Sequence, residues 1–333
     1  MFIRNRLLVI ILGVLAITSV ASHLVAWSCS LVMRLGEPLR FGTGHTGDTA
    51  VVAGSSLTFY GFAWAQVATA LNVNVMGLAV PGASPRELEV LLRHAPTARY
   101  TFIGISTFDT NENQLSDYRA RIVPLREELA SLWSAHVDWV HAKRDLSQYP
   151  MEYLRLLFPT AGNSRGIMVS VRGMLRKVFH TGPQNDTSEA AAITDQDNTH
   201  TDSIDSWPAA RVHRNLADVR AAEGGGFEFH GIKRESLFRM LHNAAAQGRV
   251  VVLVIPESPV YRAEFLTPDV RRQFDELVAD AQSQEPKALW IRLDKVPDLD
   301  SRKYYWDLVH LNAFGRAVAT KVLFSRLAAA GIQ

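Results

Sequence analysis

The sequence predicts an α/β fold: a three-layer sandwich with a mainly parallel sheet, an N-terminal transmembrane helix and a helical insertion. Short β-branched apolar runs alternate with helical patterns of apolar residues, first near the start of the chain and again near its end. This alternation is typical of a parallel sheet flanked by helices. The 333 residues are 47% hydrophobic, which is enough to bury one substantial core.

An apolar run at the N-terminus, from residue 7 to about residue 33, follows Arg4 and Arg6. It is long enough to cross a bilayer and predicts a membrane anchor over residues 1–36. The basic flank favours a cytoplasmic N-terminus. A signal peptide cleaved near residues 19–21 is the alternative. Both interpretations export the rest of the chain, so we expect a single-pass protein of the bacterial plasma membrane with its globular domain in the periplasm or outside the cell.

The composition excludes several classes of function. A net charge of +2 with a pI of about 8.7 gives no electrostatic basis for binding nucleic acid. Cys29 is the only cysteine and lies inside the apolar run, which rules out an intramolecular disulfide and a cysteine metal cluster. We therefore expect no nucleic-acid partner, no metal and no cofactor.

The first part of the predicted sheet domain covers residues 42–113. Its pattern is strand, helix, strand, helix, strand, over residues 50–53, 57–71, 72–80, 85–93 and 100–106. Ser84 is a candidate N-cap for the second helix.

The pattern is interrupted from residue 114 to residue 183 by a basic, aromatic-rich section, which we interpret as a helical insertion. Residues 184–206 follow, with six acidic residues and no Lys or Arg. This composition predicts a flexible acidic linker.

The second part of the sheet domain covers residues 207–333. Helices are predicted over residues 234–246 and 269–282, strands over 250–255 and 288–293, and a last helix from near Asn312. The sheet is thus expected to be assembled from both ends of the chain.

The end of the first strand carries a Gly54-Ser55-Ser56 turn. It would present a hydroxyl at the carboxyl edge of the sheet, where open α/β folds bind their ligands. The N-terminus of the next helix adds N–H groups that suit an oxyanion. Small residues after a strand also occur simply because they make a turn.

Near the C-terminus, Asp307 and His310 stand three residues apart, just before the last helix. A serine nucleophile needs a base to accept its proton and a third group to orient that base. Ser56, His310 and Asp307 fit these three roles. The competing interpretation is a surface aspartate and a helix-capping histidine.

These blocks resemble the SGNH, or GDSL-like, hydrolase superfamily, in which sheets of flavodoxin-like type are usual. The Gly-x-Ser-Leu block matches Gly54, Ser56 and Leu57, the glycine block matches Gly82, and the Asp-x-x-His block matches Asp307 and His310. The resemblance implies Ser56 as the nucleophile, His310 as the base, and the N–H groups of Ser56 and Gly82 as oxyanion donors.

The sequence departs from the family in two blocks. Ser55 occupies the position of the usual aspartate, and the usual Gly-x-Asn-Asp block is replaced by residues 104–111. Asn111 is the candidate side-chain oxyanion donor in that block. Ser55, Tyr261 and Arg262 are expected to contact substrate, the last two because they follow a predicted strand.

Within the superfamily, the blocks and the anchor are most similar to exported proteins that acylate cell-surface polymers, such as teichoic-acid D-alanylation proteins and the acetylation proteins of alginate-like and cellulose-like polysaccharides. This implies an acyl-ester transferase or esterase acting on a cell-surface polysaccharide, beside a multi-spanning membrane O-acyltransferase. The alternative is an inactive accessory protein that binds glycan or scaffolds that acyltransferase. A third possibility is that the insertion is an adaptor for a membrane partner.

Overall fold

The computed structural model describes residues 2–28, 39–42, 47–79, 82–114, 154, 157–160, 200–222 and 226–332. The chain divides into two compact units. The first unit comprises Met1–Arg34 and Tyr118–Asp186, and the sheet unit comprises Leu35–Asp117 and Thr187–Gln333.

The first unit contains one long helix, α1, from Phe2 to Ser28. Its Val9–Ser28 stretch is long and apolar enough to cross a membrane, a criterion of length and composition that a signal sequence also meets. Apart from Gln114, Leu154 and residues 157–160, the predicted helical insertion lies outside the described residues.

The sheet unit is built on six strands: β1 Leu39–Gly42, β2 Thr49–Ala53, β3 Asn74–Gly77, β4 Tyr100–Ile105, β5 Arg249–Val254 and β6 Leu289–Arg292. Their order is β1-β3-β2-β4-β5-β6. The strands from β3 to β6 are parallel, and β1 pairs antiparallel with β3 at one edge. The predicted α/β fold with a mainly parallel sheet is confirmed, whereas β1 was not predicted.

Nine helices of the described sheet unit connect and cover these strands: α2 Ser56–Gly61, α3 Trp64–Leu71, α4 Pro85–Arg93, α5 Thr107–Thr110, α6 Ala209–Ala222, α7 Ile232–Gln247, α8 Pro259–Phe265, α9 Pro268–Gln284 and α10 Ala313–Ala329. The single helix predicted over residues 57–71 is two helices. The chain becomes extended at Phe62, and the Ala63 N–H donates to Thr320 Oγ1 of α10 at 3.0 Å. This contact with a distant element replaces a hydrogen bond within the helix.

Helices pack on both faces of the sheet. Successive residues of a strand point to opposite sides. Val52 and Phe102 belong to a buried cluster that includes residues of α3 and α10. Their neighbours Val51 and Thr101 face the other side, where they border a cavity together with Met240 of α7 and residues of α4. The sheet is therefore the middle of three layers.

The end of the predicted acidic linker is part of the folded sheet unit. Ile204 is buried, and its N–H donates to the Tyr305 carbonyl at 2.8 Å. The His200 carbonyl accepts from the Ala313 N–H at 2.9 Å, and residues 204–206 form a 3-10 turn. The linker prediction is wrong for residues 200–206, because one apolar side chain and several backbone hydrogen bonds offset their polar composition. Residues 184–199 lie outside the described part.

Candidate active site

The topology brings two loops together at the carboxyl edge of the sheet. β2 and β4 are neighbours, while β3, which lies between them in sequence, pairs on the other side of β2. The connections after β2 and β4 therefore leave in opposite directions and open a crevice, the usual ligand position in such sheets. Ser55 and Ser56 follow β2, and residues 106–111 follow β4.

The turn after β2 presents Ser56 as the first residue of α2. Ser55 is the N-cap, and its Oγ accepts from the Leu57 N–H at 3.1 Å. The two glycines beside this turn are required by packing: a Cβ at Gly54 or at Gly104 would lie 1.9 Å from Thr58 Oγ1. The Gly54–Ser56 turn and the end of β4 thus both lie against Thr58 too closely for a side chain at either glycine.

Ser56, His310 and Asp307 form a continuous hydrogen-bond relay. His310 Nε2 lies 2.8 Å from Ser56 Oγ, and His310 Nδ1 lies 2.7 Å from Asp307 Oδ2. The other carboxylate oxygen, Oδ1, accepts from the N–H groups of Val309 at 2.8 Å and His310 at 2.7 Å. These contacts bring together the three residues that sequence analysis selected from opposite ends of the chain.

The surroundings of Asp307 favour its ionised form. Burial by itself raises the pKa of the Asp307 carboxyl, but the charge of His310 and the hydrogen bonds from His310 and Val309 outweigh it, so the pKa lies below its ordinary value. A carboxylate in this position holds the imidazole in the tautomer whose Nε2 can accept the serine proton.

A buried asparagine fixes the segment that carries Asp307 and His310. Asn312 caps α10, because its Oδ1 accepts from the N–H groups of Phe314 at 3.1 Å and Gly315 at 3.0 Å. Its Nδ2 donates to the carbonyls of Lys303 at 2.7 Å and Asp202 at 3.1 Å. One side chain thus joins the start of α10 to the backbone at Lys303 and at Asp202. Sequence analysis placed Asn312 at the helix start but did not recognise this role.

Aromatic rings surround the His310 imidazole. Trp306 stacks on it with ring centroids 5.1 Å apart and an angle of 18° between the planes. His200 stacks on the same indole at 4.4 Å and 17°, and Tyr60 meets His310 edge to face at 6.0 Å. An indole face attracts positive charge, and Trp306 presents such a face to the His310 ring. Neither Trp306 nor His200 was selected from the sequence.

A buried carboxyl, that of Asp109, contacts the Gly54–Ser56 turn. Asp109 Oδ2 accepts from Ser55 Oγ and from Ser106 Oγ, each at 2.9 Å. Burial raises the pKa of Asp109 to about 7; the two serine hydrogen bonds lower it, nearby Glu257 raises it and Lys233 lowers it. Burial likewise raises the pKa of Glu257, whose Oε1 accepts from the Phe108 N–H at 3.1 Å.

Two of the three predicted substrate contacts are wrong. Ser55 is buried and bonded to Asp109 and Leu57, so it shapes the turn instead of facing a ligand. Tyr261 is fully buried in the core, because α8 begins after Ser258 and turns that side chain inward. Arg262 pairs with the exposed Asp300, its Nη2 lying 2.6 Å from Oδ1, and its contact with substrate stays a prediction.

The predicted side-chain oxyanion donor is also wrong. Asn111 is fully buried, its Nδ2 donates to the Gly226 carbonyl at 3.0 Å, and its Oδ1 accepts from the N–H groups of Asn113 and Glu228. Its side chain thus joins the loop after α5 to the backbone of residues 226–228. Gly82 has a φ of 73°, a left-handed conformation that glycine accommodates. Its role as an oxyanion donor stays a prediction.

Comparison with known proteins finds similar chains among solved structures. No family model and no curated protein matches the chain. Among solved structures, the chain is similar to a catalytic mutant of an acetylxylan esterase from Geobacillus stearothermophilus. The identity is 9% and the TM-score 0.41, over 86% of this chain and 95% of the other. A likeness of this size does not bear on what the present chain binds or catalyses.

Proposed function

We propose that this chain is a membrane-anchored, exported acyl-ester transferase or esterase that acts on a cell-surface polysaccharide through an acyl-enzyme on Ser56. The observation that carries the proposal is the relay from Ser56 Oγ through His310 to Asp307 at the switch point of the sheet. The choice of substrate class and the membrane O-acyltransferase partner come from the resemblance of the sequence blocks.

In the first half of the proposed reaction, Ser56 Oγ bonds to the acyl carbonyl carbon and its proton passes to His310 Nε2. The resulting oxyanion would be held by the N–H groups of Ser56 and Gly82. When the ester C–O bond breaks, His310 returns the proton to the leaving oxygen. A water or a sugar hydroxyl then attacks the acyl-enzyme, His310 takes its proton, and Ser56 regains it on release.

Intact-mass analysis of the protein after treatment with a serine-directed fluorophosphonate tests the proposal. Ser56 Oγ should displace fluoride and give a single adduct that maps to Ser56. Ser56→Ala should give none, and Ser283→Ala, which removes an exposed hydroxyl in α9, should react like the wild type. A folded wild-type protein without an adduct would contradict the proposal.

The second candidate is an inactive accessory protein that binds glycan or scaffolds the acyltransferase. The engagement of Asn111 by Gly226 and Glu228 favours it, because that amide is then not directed to an oxyanion. Loss of one such donor lowers catalytic rates by about 100- to 1000-fold. Full polymer acylation in cells that express only Ser56→Ala would establish the accessory function and exclude the enzyme.

Replacing the aromatic support of the base should slow the reaction without unfolding the protein. We expect Trp306→Leu to form the Ser56 adduct about 10-fold more slowly, because the imidazolium loses its indole face. Trp306→Phe should recover most of the rate. Trp290→Leu is the matched control: Trp290 is also half-buried, and among the described residues its indole N–H, like that of Trp306, has no partner. Equal rates for the two leucine variants would contradict the role of Trp306.

A further inference from the structure

Part of the insertion is bonded to the middle of the apolar helix α1. Ser19 Oγ donates to the Leu157 carbonyl at 2.6 Å. Ser22 Oγ lies 2.7 Å from Thr160 Oγ1 and accepts from the Thr160 N–H at 3.1 Å. Ser22 and Ala26 are buried while most of α1 is open, so one face of the helix is covered.

The positions of these contacts along α1 set their depth. At 1.5 Å per residue, the stretch from Val9 to Ser28 is about 30 Å long, the thickness of a bilayer's hydrocarbon core. Ser19 lies about 15 Å along this stretch and Ser22 about 20 Å. If α1 crosses the membrane with its N-terminus in the cytoplasm, residues 157–160 meet it between the bilayer centre and the exported side.

The hydrogen bonds of this segment suit a helical turn that ends inside the hydrocarbon core of a membrane. A helical turn ends here, since the Phe158 N–H donates to the Leu154 carbonyl at 2.7 Å and Pro159 follows. The Leu157 carbonyl and the Thr160 N–H lie at this end, and both are satisfied by serines of α1. Backbone that leaves a helix at membrane depth is tolerated only when protein satisfies its polar groups in this way.

Among the described residues of this segment, the exposed side chains are apolar. Leu154 and Leu157 are exposed, and among the described residues every other exposed large hydrophobic side chain except Phe314 belongs to α1. Exposed leucines beside an apolar span are stable in lipid and costly in water.

We propose that residues 157–160, with Leu154, re-enter the outer half of the membrane beside α1 and contact lipid acyl chains, so that the protein is held by two membrane elements. This inference rests on the membrane anchoring included in the proposed function. It does not depend on the catalytic role of Ser56.

The test uses the full chain with Cys29→Ala in vesicles of phosphatidylethanolamine and phosphatidylglycerol. A single cysteine carrying an NBD fluorophore replaces Leu157, Leu15 in α1, or Phe314 in the sheet unit, side chains that are 56%, 48% and 59% exposed. Quenching by a lipid with a nitroxide in its acyl chain should be similar, within a factor of about two, at Leu157→Cys and Leu15→Cys, and much weaker at Phe314→Cys.

Three results would overturn the proposal, and they differ from one another. Quenching of the Leu157→Cys probe by aqueous iodide, as at Phe314→Cys, would place residue 157 in water. Protection from both quenchers would mean that protein covers it. Iodide quenching at Leu15→Cys would mean that α1 itself is not in the membrane, which removes the anchoring as well.

The serine contacts provide a second, internal test. Adding Ser22→Ala to Leu157→Cys should reduce quenching by the lipid nitroxide, because the end of the turn loses its partners. Thr18→Ala is the matched control, since Thr18 Oγ1 bonds only to the Val14 carbonyl within α1 among the described contacts. Equal effects of the two substitutions would contradict a specific role for Ser22.

Discussion

Asp307→Asn is expected to slow formation of the Ser56 adduct by about 10⁴-fold, the size of effect seen when a serine-hydrolase triad loses its carboxylate. Asp307 Oδ1 accepts two backbone N–H groups while Oδ2 faces His310 Nδ1. An asparagine oxygen that keeps the backbone contacts must turn its NH2 toward Nδ1. Nδ1 then becomes an acceptor, Nε2 carries the proton, and His310 cannot take the proton of Ser56.

The fold should survive this substitution, because the asparagine oxygen still accepts from Val309 and His310. Second-order rates of adduct formation and a thermal denaturation curve would be measured together. Asp294→Asn is a suitable control, since Asp294 is a half-buried aspartate paired with Arg292 and away from the relay. An Asp307→Asn protein that reacts within about 10-fold of the wild type would show that His310 does not depend on this carboxylate for its tautomer.

The parallel sheet was predictable because its strands are buried on both faces. Runs such as Val250–Ile255 then consist almost entirely of β-branched and apolar residues, which are recognisable without long-range information. The observed β5, from Arg249 to Val254, differs by one residue at each end. β1 was missed because four residues at an edge have too little periodicity to read.

The sequence-based prediction of the fold was wrong where contacts with distant residues override the local sequence pattern. The apolar periodicity from Leu57 to Leu71 continues across the break at Phe62, and the contact that stabilises the break, from the Ala63 N–H to Thr320, comes from a distant element. In the same way, the polar composition before Trp207 conceals Ile204, which is buried and donates its N–H to the distant Tyr305 carbonyl.

The three residues of the hydrogen-bond relay could be selected from the sequence, whereas the residues that contact them could not. Ser56 follows a strand directly, and Asp307 and His310 form one local block, so each carries a short-range signal. Asp109 and His200 act through residues about 50 and about 100 positions away in the chain, and no local pattern marks such pairs. Tyr261 was misassigned because a loop was expected where α8 begins.

The buried carboxyl of Asp109 should make the stability of the protein depend on pH. The pKa of Asp109 is raised from 3.8 to about 7 in the folded protein. Between these values the native state binds more protons than the unfolded state, so the free energy of unfolding falls as pH rises. The favourable contribution is complete below about pH 4 and lost above about pH 7, with a slope near 1.4 kcal/mol per pH unit.

Asp109→Asn should remove this dependence. The amide oxygen can accept from Ser55 and Ser106 as the protonated carboxyl does, and it does not ionise. In urea denaturation the variant should equal the wild type near pH 4 and exceed it near pH 8 by about 4 kcal/mol. Burial also raises the pKa of Glu257, so Glu257 adds its own pH dependence of stability in both the variant and the wild type. Asp298→Asn is the control: Asp298 is exposed, so this substitution should leave the slope of stability against pH unchanged.

The same variant separates two effects of Asp109: its hydrogen bonds to Ser55 and Ser106, and its negative charge when ionised. If the Ser55, Asp109 and Ser106 hydrogen bonds serve to hold the turn, the Ser56 adduct should form at least as fast in Asp109→Asn as in the wild type above pH 7. The substitution removes a negative charge that contacts Ser55, the residue before Ser56. Leucine at position 109 would break both hydrogen bonds, so Asp109→Leu should lose both stability and rate. A parallel pH dependence of stability in Asp109→Asn and wild type would mean that Asp109 is ionised in the folded protein and that its burial is offset by partners such as Lys233.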